Sequence, residues 1–344
     1  MRARLSILDL APIARGETAS DSFANSVALA RRAEQLGYER VWYAEHHNIP
    51  GIASSATSVL IAHIGARTTT IRLGAGGVML PNHAPLTIAE QFGTLAAMYP
   101  DRIDLGLGRA PGSDRNTMYA LRRDPQSADA FPQDVVELQG YLTGNTRVPG
   151  VNAVPGKGSN VPLYILGSSL FGAKLAAALG LPYAFASHFA PAALDAALAV
   201  YRDEFQPSDR LEQPYVIAGI NVVAADTTEA AQRSLQAIRR ARAISLFGRS
   251  LRASGPAGGQ HADEPDLTDA RADELLAAGA AVRVDEMLTY AAVGTPCEVS
   301  NYLDKFLDQT KADELITVHQ APNLDARLRS VTLLSEAMQA APAA

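Results

Sequence analysis

Five of the seven histidines in this 344-residue sequence stand at the ends of short apolar segments that are typical of β-strands. They are His46, His47, His83, His188 and His319. Imidazole exchanges protons near neutral pH and also binds metals, so these positions favour a catalytic or a metal site. A single histidine at a strand end is more often a structural residue. Five of them together indicate an active site.

The spacing of these histidines argues against a metal centre. His46 and His47 are adjacent, and adjacent side chains of an extended chain point to opposite sides. The first predicted strand also lacks the His-x-His pair that is typical of metal-dependent barrel hydrolases. We therefore predict no metal site, and a metal-dependent barrel hydrolase or isomerase is retained as an alternative.

Arg109 and the run Gly167-Ser168-Ser169 form a candidate anion site. Arg109 follows a predicted strand, where its guanidinium could bind a phosphate through two parallel hydrogen bonds. The Gly-Ser-Ser run lies between a strand and a helix start, which offers backbone N–H groups, hydroxyls and the positive end of the helix dipole. Each feature alone is also common in structural roles. On neighbouring strands, they predict a site for a terminal phosphate.

The third predicted strand contains the glycine-rich run Gly74-Ala75-Gly76-Gly77. Glycine inside a strand marks a bulge or a close approach of the backbone to a flat ligand, and a tight bend of a barrel explains it equally well.

The run Gly106 to Gly112 has the wrong spacing for a dinucleotide fingerprint. Because no such fingerprint opens a helix after any strand, the sequence predicts no nicotinamide-binding fold.

Short apolar segments alternate with Ala-rich helical segments along the whole chain, a pattern typical of a parallel sheet with helical crossovers. Eight strands are predicted, at residues 5–10, 40–43, 71–80, 103–107, 163–166, 184–187, 216–224 and 314–319. Eight βα units favour a closed (β/α)8 TIM barrel over an open sheet. The sequence therefore predicts an α/β fold in a single domain, residues 1–344.

Two segments exceed what a minimal barrel of roughly 250 residues needs. The first, about 111–160, follows strand four and mixes a helix at 131–142 with Gly- and Pro-rich loop. The second, 249–273, follows the strand-seven helix and has almost no apolar residue to anchor it. We predict that this second segment is a mobile loop, which is either an active-site lid or an idle solvated loop.

Composition limits the class of protein. The net charge of −6 and the absence of clustered Lys and Arg argue against a nucleic-acid partner. A single cysteine excludes an intrachain disulfide framework. The sequence contains neither a secretory signal nor an apolar run of about 18 residues, so we expect no membrane association and a cytoplasmic protein.

The run Val41-Trp42-Tyr43-Ala44-Glu45-His46-His47 resembles the bacterial luciferase-like, flavin-dependent monooxygenases. Later motifs occur in the order typical of that family. They are Gly74 to Pro81 with His83-Ala84-Pro85-Leu86, Asp101 to Arg109, Leu166 to Ser169, Val293 to Pro296, and Ala312 to Leu315. The resemblance covers nearly the whole chain apart from the two insertions, and the motifs are specific as a set.

This resemblance implies a barrel that binds reduced FMN, which reacts with O2 so that a small organic substrate is oxygenated. It implies that His46 is the active-site histidine, supported by His47, and that Arg109, Ser168 and Ser169 hold the FMN phosphate, next to Gly167. Gly76 and Gly77 match the place where the family has a cis peptide against the flavin ring. Family members are commonly homodimers through the helices that follow strands two and three.

The sequence departs from the luciferases at Gly167-Ser168-Ser169, where they carry an acidic residue before the serine, and in its first insertion. A long-chain aldehyde substrate is therefore not assumed, and the substrate is not predicted. The missing nicotinamide fold favours a two-component system with a separate flavin reductase. An oxidoreductase dependent on the deazaflavin F420 and a flavin-binding protein without turnover are retained as alternatives.

Overall fold

The computed structural model describes residues 3–110, 114–253 and 268–339. Contacts within the chain divide it into two compact units. The first unit comprises Met1–Ser187, Ala192–Ile220 and Lys305–Val318. The second comprises His188–Pro191, Asn221–Asp304 and His319–Ala344.

The described residues contain nine strands that form one sheet. They are β1 (Arg4–Asp9), β2 (Arg40–Tyr43), β3 (Arg72–Met79), β4 (Ile103–Gly108), β5 (Leu163–Gly167), β6 (Tyr183–Phe185), β7 (Val216–Ala224), β8 (Ala291–Gly294) and β9 (Glu314–Val318). Strands β1 to β7 and β9 make a closed parallel barrel, because β9 lies between β7 and β1 and β6 pairs with β7. The predicted TIM-barrel fold is confirmed.

Helices connect successive strands, as parallel pairing requires. They are α1 (Ala19–Gln35), α2 (Thr57–Gly65), α3 (Pro85–Met98), α4 (Arg115–Ala120), α5 (Phe131–Thr143), α6 (Leu170–Leu179), α7 (Leu194–Asp203), α8 (Thr228–Ala253), α9 (Asp269–Leu275), α10 (Ala281–Met287), α11 (Pro296–Thr310) and α12 (Leu324–Gln339). Short 3-10 turns occupy Leu80–Asn82 and Pro125–Ala130, and a π-helical turn spans Leu276–Ala280. In the described ranges, no helix has the length and hydropathy needed to cross a membrane.

All eight predicted strands are present, and the bounds of β2 and β7 match the prediction. The prediction missed β8, which has four residues and pairs with the second half of β7, with Asn221 opposite Ala291. Its sequence Ala-Ala-Val-Gly contains one β-branched residue and has no alternating pattern. Nothing in the sequence alone therefore distinguishes it from the end of a helical segment.

The predicted mobile loop at 249–273 is wrong at both ends. Residues 249–253 continue α8, and α9 begins at Asp269. Thr268 caps α9, because its hydroxyl accepts a hydrogen bond from the Arg271 backbone N–H. The middle of the predicted loop, 254–267, lies outside the described residues.

In the first insertion, α4 and a 3-10 turn precede the predicted helix at 131–142, which is present as α5.

An apolar layer fills the barrel around Trp42. Its buried members are Leu8, Trp42, Ala44, Tyr164, Ala184, Ile217, Ile316 and Val318. The glycines of β3 make room for this layer, because a Cβ atom on Gly76 would lie 2.7 Å from Leu8 Cδ1 and 2.9 Å from Trp42 Cβ. The pairing of β3 with β4 shifts between Ala75 and Val78, and the peptide bond between Gly76 and Gly77 is cis. The glycine run therefore marks both a bulge and a tight packing contact.

A buried ionic network lies where several strands begin. The Arg40 guanidinium donates to Asp104 Oδ2 at 2.7 Å and to Glu314 Oε1 at 2.9 Å, and neither acceptor residue is exposed. Asp104 also accepts from Arg72 and from Trp42 Nε1. Burial alone would lower the pKa of Arg40, but the two carboxylates outweigh it and raise that pKa. Charges buried in this way are tolerated because each has an opposite partner.

We predict that Arg40→Ala lowers the free energy of unfolding by about 3–5 kcal/mol, because it leaves two buried carboxylates without their shared cation. The matched control is Arg4→Ala, whose side chain is 61% exposed and contacts Glu39 at 3.5 Å. It should cost about 0–1 kcal/mol. Chemical denaturation of both variants measures the difference, and equal losses would contradict the assigned role of Arg40.

Candidate active site

Glu45 joins the ends of two barrel strands. It follows β2 with one intervening residue and is 2% exposed. Its Oε1 accepts hydrogen bonds from His47 Nε2 and His83 Nε2, both at 2.8 Å, and its Oε2 accepts from the Met79 backbone N–H at 3.0 Å. Burial acts to raise the pKa of Glu45, but these donors outweigh it and lower that pKa below its ordinary value. Glu45 is therefore an ionised carboxylate at neutral pH.

Sequence reasoning quoted Glu45 within a motif but gave it no role. A visible signal was its spacing from His47, because residues two apart in an extended segment lie on the same side. The contact with His83 joins residues 38 positions apart and had no local signal. The structure thus brings His47 and His83 to one carboxylate. His46 is not part of this cluster.

The His46 imidazole has a different environment. It is half-buried, and its Nδ1 atom has no hydrogen-bond partner among the described residues. Burial lowers the pKa of His46, with a further lowering from His47, while Glu45 acts in the opposite direction. His46 also lines an open cleft of about 470 Å³. The other lining residues are Ile13, Ala19, Phe23, Asn48, Ile49, Pro50, Ile52, Ala53 and Ser55.

Arg109 lies beside the first turn of α6, as the predicted anion site requires. Its guanidinium carbon lies 4.2 Å from the centre of the Phe171 ring, and Phe171 is the second residue of α6. Ser169 is the N-cap of this ten-residue helix, but its side chain makes no capping hydrogen bond. Arg109 and Ser169 are both exposed. An exposed cation therefore stands against a helix start whose N–H groups no side chain caps.

Apart from Ser168, which lies between β5 and α6, the remaining predicted site residues lie on the strands themselves or in the second unit. Gly76 and Gly77 belong to β3, and Gly167 ends β5. In the second unit, His319 is 1% exposed and its Nδ1 contacts Ser330 Oγ at 2.9 Å. Burial, with a smaller effect of Arg327, lowers the pKa of His319 to about 3. His319 is thus a neutral residue in a structural contact.

Among the described residues, no group of three His, Cys, Asp or Glu side chains is arranged to hold a metal ion. The Glu45 cluster is instead held together by hydrogen bonds from two imidazoles and one backbone N–H group.

Comparisons with known proteins agree with this barrel. A family model described as luciferase-like monooxygenase matches residues 3–314. A protein of Escherichia coli (strain K12) named luciferase-like monooxygenase is 47% identical over 329 residues, which cover 95% of each chain. The solved structure of apo-MsnO8 has a TM-score of 0.81 and 35% sequence identity, and the match covers 99% of this chain and 100% of that chain.

A third comparison concerns the fold alone. The oxygenating constituent of 3,6-diketocamphane monooxygenase from Pseudomonas putida is a type II Baeyer-Villiger monooxygenase solved in complex with FMN. Its TM-score is 0.68 at 16% identity, with 98% of this chain and 97% of that chain covered. Together, the barrel and these relatives define an oxidoreductase enzyme. The chain belongs to the luciferase-like monooxygenase family.

We predict that Glu45→Gln lowers the free energy of unfolding at pH 7 by about 1.5–3 kcal/mol, the range for a hydrogen bond to a charged group. Because the pKa of Glu45 is lowered in the folded state, its contribution is present above the ordinary value of 4.5. It is lost as the pH falls through the lowered pKa. The difference between wild type and variant should therefore persist from pH 8 to about pH 5 and shrink on further acidification.

Denaturation curves across this pH range measure the effect, with Glu204→Gln as the control. Glu204 is an exposed carboxylate that contacts Lys174 at 3.6 Å. A Glu45→Gln variant as stable as this control at pH 7 would contradict the assigned role of the carboxylate.

Proposed function

We propose that this enzyme is an FMN-dependent monooxygenase that uses reduced FMN and O2 to oxygenate a small organic substrate. The observation that carries the proposal is the position of Arg109 against the uncapped start of α6. Family membership supports oxygenation, and the FMN bound in a solved structure of the same fold supports the choice of cofactor. We propose a cytoplasmic enzyme that works with a separate flavin reductase.

The residues at the ends of β4 and β5 fit a flavin phosphate. Arg109 offers a planar guanidinium that can donate two parallel hydrogen bonds, and Phe171 supports its plane. Ser168 and Ser169 offer hydroxyl donors, and the helix start offers backbone N–H groups with a favourable dipole. Gly167 ends β5 directly before these serines and packs closely against Tyr183 and Gly172. In this proposal Gly76 and Gly77 would help to hold the flavin ring.

His46 is the proposed proton-transfer group. Its pKa lies below the ordinary value of 6.5, so the imidazole is neutral at pH 7 and can accept a proton. Its Nδ1 atom is not engaged by any described residue, whereas His47 is held by Glu45. Reduced FMN supplies the electrons that activate O2. His46 would then hold or deliver the proton at Nδ1, and His47 would support the site from the Glu45 cluster.

We also propose a homodimer formed through α2 and α3. Val59 on α2 is 68% exposed and Met98 on α3 is 54% exposed, which leaves apolar side chains on both helices available for contact with a second copy. The oligomeric state in solution tests this proposal directly.

We predict that Arg109→Ala weakens FMN binding by about 1.5–3 kcal/mol while riboflavin binding hardly changes, because only FMN carries the phosphate. Fluorescence titration with both flavins measures the two affinities. Arg147→Ala, which removes an exposed arginine from a loop, is the matched control and should leave both unchanged. Equal losses for FMN and riboflavin would show that Arg109 does not bind the phosphate. Tight binding of F420 with no binding of FMN would favour the deazaflavin alternative.

The function is tested by oxygen uptake in the presence of FMN, NADH, a separate flavin reductase and a panel of candidate organic substrates. We predict that His46→Ala retains wild-type FMN affinity but lowers substrate-dependent oxygenation by about 100-fold or more, the low end for a positioned proton-transfer group. His63→Ala, on α2, should behave like wild type. Without the reductase, NADH and FMN should give no uptake. Unchanged oxygenation by His46→Ala would refute its role, and uptake without the reductase would show a one-component enzyme.

A further inference from the structure

Arg242 is a buried cation with no carboxylate partner among the described residues. It lies on α8 in the second unit and is 9% exposed. Its three hydrogen-bond acceptors are neutral: Asn221 Oδ1 at 2.8 Å, Gln320 Oε1 at 3.3 Å and the Met287 carbonyl at 3.4 Å. Burial lowers the pKa of Arg242 to about 10, and the side chain is still charged at neutral pH.

Arg40, in the first unit, is a buried arginine with carboxylate partners, whereas the buried Arg327 donates to the His319 backbone carbonyl. Arg40 is 3% exposed and binds the carboxylates of Asp104 and Glu314. A buried charge that lacks such a partner is costly, because no opposite charge offsets the lost hydration. Arg242 is almost as buried as Arg40, but no carboxylate among the described residues contacts it. An anion from outside the described chain would supply the missing negative charge.

The neighbours of Arg242 hold it in position without neutralising it. The amide group of Asn221 donates to the carbonyls of His188 and Tyr290 at 2.7 and 3.3 Å, which turns its oxygen toward Arg242. His319, the residue before Gln320, is kept neutral by its low pKa. The guanidinium is thus oriented by amide and carbonyl dipoles alone.

The hydrogen bonds of Arg242 leave donors for a ligand. Its Nε, Nη1 and Nη2 atoms each donate to one acceptor in the described chain. A guanidinium has five N–H groups. One N–H on Nη1 and one on Nη2 therefore have no described acceptor, and these two atoms form the fork that binds both oxygens of a carboxylate.

We propose that Arg242, held by Asn221 and Gln320, is the binding group of a second anion site, which takes a small organic carboxylate. Asn221 lies in the carboxyl-terminal half of β7, and Gln320 follows β9 by one intervening residue. Ligand-binding groups of barrel enzymes come from this end of the strands. The site is distinct from the phosphate site proposed at Arg109, and it does not depend on flavin binding.

The test is calorimetric titration with sodium butyrate and with butyramide, its uncharged counterpart of similar shape, at constant ionic strength. Wild-type protein should bind butyrate and not butyramide, and Arg242→Met should weaken butyrate binding by at least about tenfold. The matched control is Arg239→Met on the same helix, because Arg239 is already paired with Asp285 at 2.8 Å. Its butyrate affinity should equal that of wild type.

Two further arms separate this site from the flavin site. Arg109→Ala should bind butyrate as wild type does, and Arg242→Met should bind FMN as wild type does. Equal binding of butyrate and butyramide by wild type would overturn the proposal, as would full butyrate affinity in Arg242→Met. If Arg242→Met fails to fold, Arg242→Lys keeps the charge without the fork. A marked loss of butyrate affinity then supports the proposal, and unchanged affinity overturns it.

Discussion

The pairing of Arg40 with Asp104 and Glu314 is the constraint around which the barrel is built. It connects β2 with β4 and β9, which are not neighbours in the sheet, across the barrel interior. Residues 40 and 42 lie on the same side of β2, so this strand contributes both the cation and the central Trp42, and Ala44 directly after it joins the same apolar layer. One strand therefore contributes to the buried ionic network and to the apolar layer, and it leads directly to Glu45 in the candidate site. Gly74 and Gly76 of β3 follow from this arrangement, because Trp42 occupies space that their side chains would need.

Strand and helix periodicity was sufficient to predict the barrel, because each of its eight strands is a β-rich apolar segment flanked by helical sequence. Periodicity was insufficient for β8, whose four residues are defined by pairing with Asn221–Ala224. It also failed for the ends of the second insertion. There, composition suggested a loop, but helix propensity extends α8 and the Thr268 cap starts α9.

The location of residues next to strand ends could be predicted, because the end of a strand is visible in the sequence. Arg109 and Ser169 are examples, although their roles toward a flavin remain proposals. Glu45 and Arg242 could not be predicted, because their importance depends on partners far along the chain. Arg242 lies in an Ala- and Arg-rich helix whose sequence is typical of a solvent-exposed helix. Its burial and its contact with Asn221, seen only in the structure, distinguish it from Arg239.

Met79 is the last residue of β3, and its backbone N–H donates to Glu45 Oε2. The carboxylate thus accepts the hydrogen bond that a neighbouring strand would otherwise accept. The other oxygen of this carboxylate, Oε1, fixes the rings of His47 and His83. Glu45 therefore both ends the backbone hydrogen bonding of β3 and orients the two imidazole rings. Loss of the Glu45 carboxylate would therefore release the Met79 N–H and both imidazoles at once.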